Sequence, residues 1–418
     1  MRLPSRPAAS LLMVALFFML KIGSALLILL LSTSMLSVAG FAAFTQLTIL
    51  AALINTIAVA GAQTGLIRIA AAAPDQAGLA RPIGGAIALW AAIAVAGAVV
   101  LIAFRGPISV VLIGTAEIAP YVVIVGLATF AGGPGQILTA LLTGRGFLGR
   151  SLSAQAFGLV VGTALALYFL ARGDPHLSAV AFALQAPLTM IAAFVLAQAK
   201  RFPRPSFDRL KATLREILRY SSATLTLAAG TMLVLFGLRF GYQETFGLTL
   251  LGFWLAANRI SDTSTQFVGL GYLQLLVPRL TKVEDRREAR RLIGASWLLA
   301  TATMAAPLAV FVLAPSFFVG LILSDAYLPA IAGIILYMMG DIARATGSLG
   351  MHVQLARGRP WRFAAIDLGT IALMAIIMLA LMANGQTLAP QIAYLAAQGA
   401  VALAIIALFV MDRPPRRA

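Results

Sequence analysis

Apolar runs of about 20 residues recur along the whole chain, each closed by a short polar or basic stretch. That is the length a helix needs to cross a hydrocarbon core of about 30 Å at 1.5 Å per residue. The pattern predicts about twelve helices, at 10–33, 39–66, 83–104, 118–142, 151–171, 178–198, 219–239, 249–277, 292–314, 328–353, 364–383 and 390–411. Lipid offers no hydrogen-bond partner, so each run is satisfied as a helix, and the glycines and prolines inside it do not veto that. Barrel strands would alternate apolar and polar residues instead. The fold class is therefore an all-α polytopic membrane protein. Residues 1–199 form a first six-helix bundle, 200–218 a basic cytoplasmic linker, and 219–418 a second bundle, the two pseudo-symmetric around a central cavity.

Arg2 and Arg6 followed by an apolar stretch to Leu31 have the layout of a signal peptide. The stretch is too long for an h-region, and it reads as a retained first span.

Composition removes whole classes of function. Of 418 residues, 61% are hydrophobic and 11% charged, whereas soluble domains run nearer half and a quarter. Cysteine is absent, which excludes disulfides, thiolate nucleophiles and iron–sulfur clusters, and the two histidines, His176 and His352, lie far apart. No cofactor or metal is expected.

The net charge of +17 on a soluble protein would point to nucleic acid; here it reports orientation. With the N-terminus inside, 25 of the 31 Lys and Arg fall on inner segments and only Arg105, Arg172 and Arg239 on outer connections. Both termini are expected to face the cytoplasm, with the basic inner loops against anionic lipid headgroups and no nucleic-acid partner. The outer connections are short, the longest being 105–117 and 316–327, so no soluble domain is inserted.

Matches near an offset of 212 suggest an internal repeat. Gly40-Phe41 and Gln46 match Gly252-Phe253 and Asn258; Ala171-Arg172-Gly173 matches Ala383-Asn384-Gly385. Arg68 matches Arg279 at 211 and Gly144-Arg145 matches Gly358-Arg359 at 214. Halves of six spans each insert in the same direction, related by an axis along the membrane normal, which places a substrate path between them.

The informative residues are charges inside spans, because each costs roughly 2.5–3.5 kcal/mol at the bilayer centre and so faces protein or a water-filled cavity. Lys21, Arg259, Asp262, Asp341 and Arg344 fall near mid-depth. Arg259, Asp262, Thr263 and Gln266 share one helical face; Tyr337, Asp341, Arg344 and Ser348 a second; Thr45, Thr48 and Asn55 a weaker third. Arg259 with Asp262, and Asp341 with Arg344, are spaced to pair at i, i+3, either as packing elements or as a functional site. Three cations against two anions, with Arg68 at the inner end, leave a positive field suited to an anionic substrate.

Other polar positions read more simply. His352 and His176 are expected to be interfacial or solvated, and Trp361, Tyr220, Tyr168, Tyr242 and Tyr327 to lie in aromatic belts. Gly132-Gly133-Pro134-Gly135 lacks the Lys-Ser/Thr of a phosphate loop and predicts a broken helix. Glu284, Asp285 and Glu288 read as a solvated helix start.

Gly252-Phe253-Trp254 through Arg259-Ile260-Ser261-Asp262 to Val277-Pro278-Arg279-Leu280 resembles the eighth span of Wzx-type flippases, members of the multidrug/oligosaccharidyl-lipid/polysaccharide exporter (MOP) superfamily. O-antigen and enterobacterial common antigen translocases show a similar G-x-W, basic-x-S and L-P-R-L. Lys21-Ile22-Gly23 and Gly40-Phe41 through Gly61 to Arg68 are similar to that group's first two spans. The resemblance implies a non-enzymatic flippase. It would move an undecaprenyl-diphosphate-linked oligosaccharide across the bacterial inner membrane by alternating access, alongside a polysaccharide polymerase and chain-length machinery. Lys21, Arg68, Arg259 and Arg344, with Asn55 and Gln266, are then candidates for the diphosphate and sugar, and Asp262 and Asp341 for proton coupling. The competing readings are a multidrug or cation antiporter of the same superfamily, which prefers an acidic or neutral cavity, a membrane-embedded polymerase, which needs a substantial outer loop, and a non-catalytic assembly partner.

Overall fold

The computed structural model describes residues 7–59, 62–73, 75, 77–197, 203–272, 276, 280, 283, 285–356 and 360–411. The described chain is helical: α1 (Pro7–Met35), α2 (Val38–Ala58), α3 (Ala62–Ala72), α4 (Ala80–Ala103), α5 (Arg105–Ile113), α6 (Ala119–Ala131), α7 (Gly133–Gly144), α8 (Leu148–Leu170), α9 (Pro175–Ala183) and α10 (Gln185–Ala197), then α11 (Leu210–Gly271), α12 (Arg286–Leu313), α13 (Pro315–Ile322), α14 (Ile331–Ala356), α15 (Pro360–Ala383) and α16 (Ala389–Met411). Among the described residues, 11 helical stretches are long and apolar enough to cross a membrane.

One of those stretches, Leu225–Asp262, holds two spans. Gly247, at φ 85° and ψ 168°, interrupts α11 in a backbone region that only glycine enters without strain. Arg239 Nη2 donates to Asn258 Oδ1 at 2.9 Å, and the Tyr242 and Trp254 rings lie 5.3 Å apart. A straight helix would hold residues 239 and 258 about 28 Å apart, so the chain reverses at Gly247 and twelve spans result.

The chain forms two compact units, Met1–Met232 and Leu233–Ala418. Part of the basic segment at 200–218 packs onto the first: Ser206 N donates to Ala80 O at 2.9 Å, and Ile217 is fully buried with Leu79, Ile83 and Leu141.

The structure departs from the sequence pattern in three places. The span expected over 39–66 is two helices, α2 ending at Ala58 and α3 starting at Ala62. The outer connections at 105–117 and 316–327 are largely helical, as α5 and α13 with a 3-10 turn at Asp325–Ala330. Arg239, Tyr242, Tyr327 and His352 are interior residues instead of interfacial ones, at 6%, 1%, 0% and 9% exposure. Each has a polar or aromatic partner that hydropathy along one helix does not reveal: Tyr242 Oη donates to Thr387 O at 2.6 Å, Tyr327 packs on Phe253, and His352 Nδ1 lies 2.7 Å from Ser348 O. Tyr168 and Trp361 are exposed, as belt residues are; the Tyr220 side chain lies outside the described residues.

The expected break at Gly132–Gly135 is present, between α6 and α7. Pro134 has no N–H to give the Phe130 carbonyl four residues back; Trp90 Nε1 donates to that oxygen instead, at 2.8 Å. The glycines also set the packing distance. A Cβ on Gly132, Gly133 or Gly135 would sit 2.3, 2.1 or 2.6 Å from atoms of Ala186, Trp90 or Met190. Small residues at helix crossings serve this purpose in membranes.

The repeat is visible in the backbone. At the end of α8, Arg172 N, Gly173 N and Asp174 N donate to the carbonyls of Phe169, Leu170 and Phe169. At the end of α15, Asn384 N, Gly385 N and Gln386 N donate to those of Leu381, Met382 and Leu381, each atom 212 positions on. Gly173 and Gly385 both take the left-handed conformation that closes such a turn, at φ 72° and 73°.

Candidate functional site

Each unit holds a partly open polar cavity lined by several of its helices. In the first unit, a cavity of about 440 Å3 is lined from α1, α2, α3, α6, α7, α8, α9 and α10. Lys21, midway along α1, supplies the charge there; no carboxylate lies within ion-pair reach of it among the described residues. The remaining polar lining is amides and hydroxyls. Gln63 Nε2 donates to Gln136 Oε1 at 3.0 Å, and Gln136 Nε2 donates in turn to Asn55 Oδ1. Gln155 Nε2 donates to Ser151 Oγ at 3.3 Å and Gln185 Nε2 to Thr163 Oγ1 at 3.4 Å.

In the second unit, a cavity of about 390 Å3 is lined by Asp262, Asp341, Asp367, Arg344, Ser348 and His352, among others. Asp341, 2% exposed, accepts from Ser261 Oγ at 2.6 Å and Tyr394 Oη at 2.7 Å, both on Oδ1. Arg344 Nη1 approaches Tyr394 Oη at 3.4 Å and Asp262 Oδ1 at 4.0 Å. The ion pair thus joins α14 to the second arm of α11, where helical spacing alone suggested pairs within one helix. An aromatic wall backs this cluster: Trp254 Nε1 donates to Tyr337 Oη at 2.6 Å, and the Tyr337 ring lies 4.6 Å from that of Tyr394. Arg259 and Arg239 are within electrostatic range of Asp262, and Asp367 of Arg344.

The structure thus gathers Lys21 and Asn55 in one cavity and Asp262, Asp341 and Arg344 in the other. Arg68 is exposed on α3 and is not among the lining of either. The Gln266 side chain lies outside the described residues. Sequence reading missed Gln63, Gln136, Gln155, Gln185 and Asp367 as cavity residues. Among the described residues, no three His, Asp or Glu side chains are grouped to hold a metal ion.

The two cavities are built at equivalent positions. Thr129 and Asp341, Gly132 and Arg344, Gln136 and Ser348, Thr139 and Met351, and Gln155 and Asp367 are each 212 residues apart, and all ten line their respective cavities. No residue identity survives within these pairs, so these positions give no sign of the repeat in the sequence, and only the structure shows that they line equivalent cavities.

No protein family's sequence profile matches the chain. Over 355 residues it is 25% identical to the Lipid III flippase of Escherichia coli (strain K12), covering 81% of this chain and 82% of that protein, and equally to that of Shigella flexneri. Among solved structures, an inward-facing multidrug resistance MATE family transporter of the MOP superfamily superposes with a TM-score of 0.66 at 15% identity, over 95% of this chain and 96% of that one. A MOP superfamily transporter from Pyrococcus furiosus, described as having reversed binding-pocket polarity, gives 0.60 at 14% identity, over 98% and 96%. The chain therefore has the fold of the MOP-superfamily transporters.

Proposed function

We propose that this chain is a flippase that carries an undecaprenyl-diphosphate-linked oligosaccharide from the cytoplasmic to the periplasmic leaflet of a bacterial inner membrane, with both termini cytoplasmic. The observation that carries the reading is similarity to Lipid III flippase over four fifths of both chains. The site chemistry supports it. A diphosphate bearing sugars is anionic and polar, and Lys21 opens onto an uncharged polar cavity halfway through an apolar helix. Arg68, Arg259 and Arg344 are the further cations for the carrier, with Asn55 and Gln266 as polar contacts. Asp262 and Asp341 couple transport to protons: protonating either carboxylate beside Arg344 changes the local charge between states. Polysaccharide polymerase and chain-length machinery would receive the product.

Deleting the gene and analysing lipid-linked intermediates by mass spectrometry tests this. Accumulation of one undecaprenyl-diphosphate glycan on the cytoplasmic side is expected, and an unchanged lipid-linked pool would overturn the proposal. The second reading is a multidrug or cation antiporter. It is favoured by the second cavity, where three carboxylates face Arg344. Uptake of organic cations by vesicles containing the protein, with no lipid-linked glycan accumulating in its absence, would select that reading.

A further inference from the structure

We infer that the cavity of the first unit is a saccharide site. An uncharged pyranose lies against the amides of Asn55, Gln63, Gln136, Gln155 and Gln185, with the group from which it hangs beside Lys21. Only this last placement rests on the flippase reading.

The amides are not used up in holding one another. Their mutual bonds leave the nitrogen of Asn55 and the side-chain oxygens of Gln63, Gln155 and Gln185 without partners among the described residues, on a cavity wall. A sugar hydroxyl both donates and accepts, so it is matched by amides, which present both functions in one plane. Phe17 and Phe182 on the same wall supply apolar faces for the C–H side of a ring. The cavity volume, about 440 Å3, lies within the roughly 300–1,000 Å3 range of sites that enclose small ligands. A drug cation would find no carboxylate here, because the described lining has none.

The repeat shows that these amides are not a packing requirement of the fold. The second unit builds a cavity at the same positions with Ser348 in place of Gln136 and Asp367 in place of Gln155. Gln136, Gln155 and Gln185 are half-buried, where an amide carries a desolvation cost wherever it lacks a partner, while Asn55 and Gln63 are exposed. Among the described residues the lining of the first cavity holds five amides and that of the second none, and a polyhydroxylated ligand offsets that cost.

The test uses the full chain in nanodiscs and two kinds of probe. The first is a panel of methyl pyranosides covering neutral hexoses and N-acetylhexosamines, followed by saturation-transfer NMR. The second is undecaprenyl diphosphate without sugar. At least one class of pyranoside should bind, and Gln136→Leu and Gln155→Leu should each weaken that binding about tenfold. Undecaprenyl diphosphate should lose affinity with Lys21→Gln and not with Gln155→Leu. Gln155 lies outside the Gln63–Gln136–Asn55 chain, so its variant decides the matter if Gln136→Leu fails to fold. Pyranosides that do not bind, or that bind equally well to the wild type and to every folded glutamine variant, would overturn the saccharide site. Pyranoside binding without binding of undecaprenyl diphosphate would leave that site standing and remove the flippase reading instead.

Discussion

The two cavities occupy the same register of a duplicated helical plan, yet one is lined by amides and hydroxyls around Lys21 and the other by three aspartates around Arg344. Thr129 in the first unit stands where Asp341 stands in the second, and Phe182 where Tyr394 donates to that carboxylate. The backbone turn at Gly173 has been kept at Gly385 atom for atom, while the cavity walls have diverged at every matched position. Geometry common to both units is thus a property of the fold, and the chemistry that differs is where separate tasks proposed for the two units are to be tested.

Exchanging residues between the units tests that division most severely. Asp341→Thr, which installs the first unit's residue, strands the hydroxyls of Ser261 and Tyr394 and deprives Arg344 of a neighbouring carboxylate. At about 1–3 kcal/mol per stranded group and tenfold per 1.4 kcal/mol, transport by reconstituted protein should fall about a hundredfold. The reverse exchange, Thr129→Asp, should lower stability by roughly 2.5–3.5 kcal/mol, read as the thermal midpoint in detergent. If both exchanges left transport intact, the two cavities would be interchangeable and the division would be broken.

Packing provides a gentler comparison. Gly133→Ala drives a Cβ to 2.1 Å from Trp90, whereas the equivalent position already carries Ala345. A loss of about 1–3 kcal/mol is expected from overpacking. Gly173→Ala and Gly385→Ala should each cost about 1–2 kcal/mol, and by similar amounts, because both glycines hold the same left-handed turn. The smallest effect expected is for Trp90→Phe, about 0.6–1.7 kcal/mol, as the Phe130 carbonyl loses the donor that replaces the missing N–H of Pro134.

Much of this was legible in the chain itself. The spans follow from apolar run length, and charged residues near the middle of a run stand out because lipid penalises them so strongly; Lys21, Asp262, Asp341 and Arg344 were found that way and line cavities. Gly132 to Gly135 announced a break through the proline and the glycines. Gln63, Gln136, Gln155 and Gln185 gave no such signal. They lie one to a helix on α3, α7, α8 and α10, and an isolated amide in a span is too mildly polar to mark a site. Arg239 was placed on an outer connection by counting residues, and its partner Asn258 comes within reach only because the chain reverses at Gly247.

By itself the sequence determined what each segment must do in lipid: its helical state, its length, and the few charges needing shelter, because hydrocarbon penalises an unsatisfied backbone or a lone charge locally and independently of the rest of the fold. It also set the repeat period near 212. Only the tertiary structure decided who shelters whom. Asp262 meets Arg344 across two helices, Asp341 is held by Ser261 and Tyr394, and the scattered glutamines converge on one cavity. Those partnerships depend on which helix faces cross and how closely. That is set by small residues and turns such as Gly133 and Gly247, whose effect is felt between helices and leaves no period along any one of them.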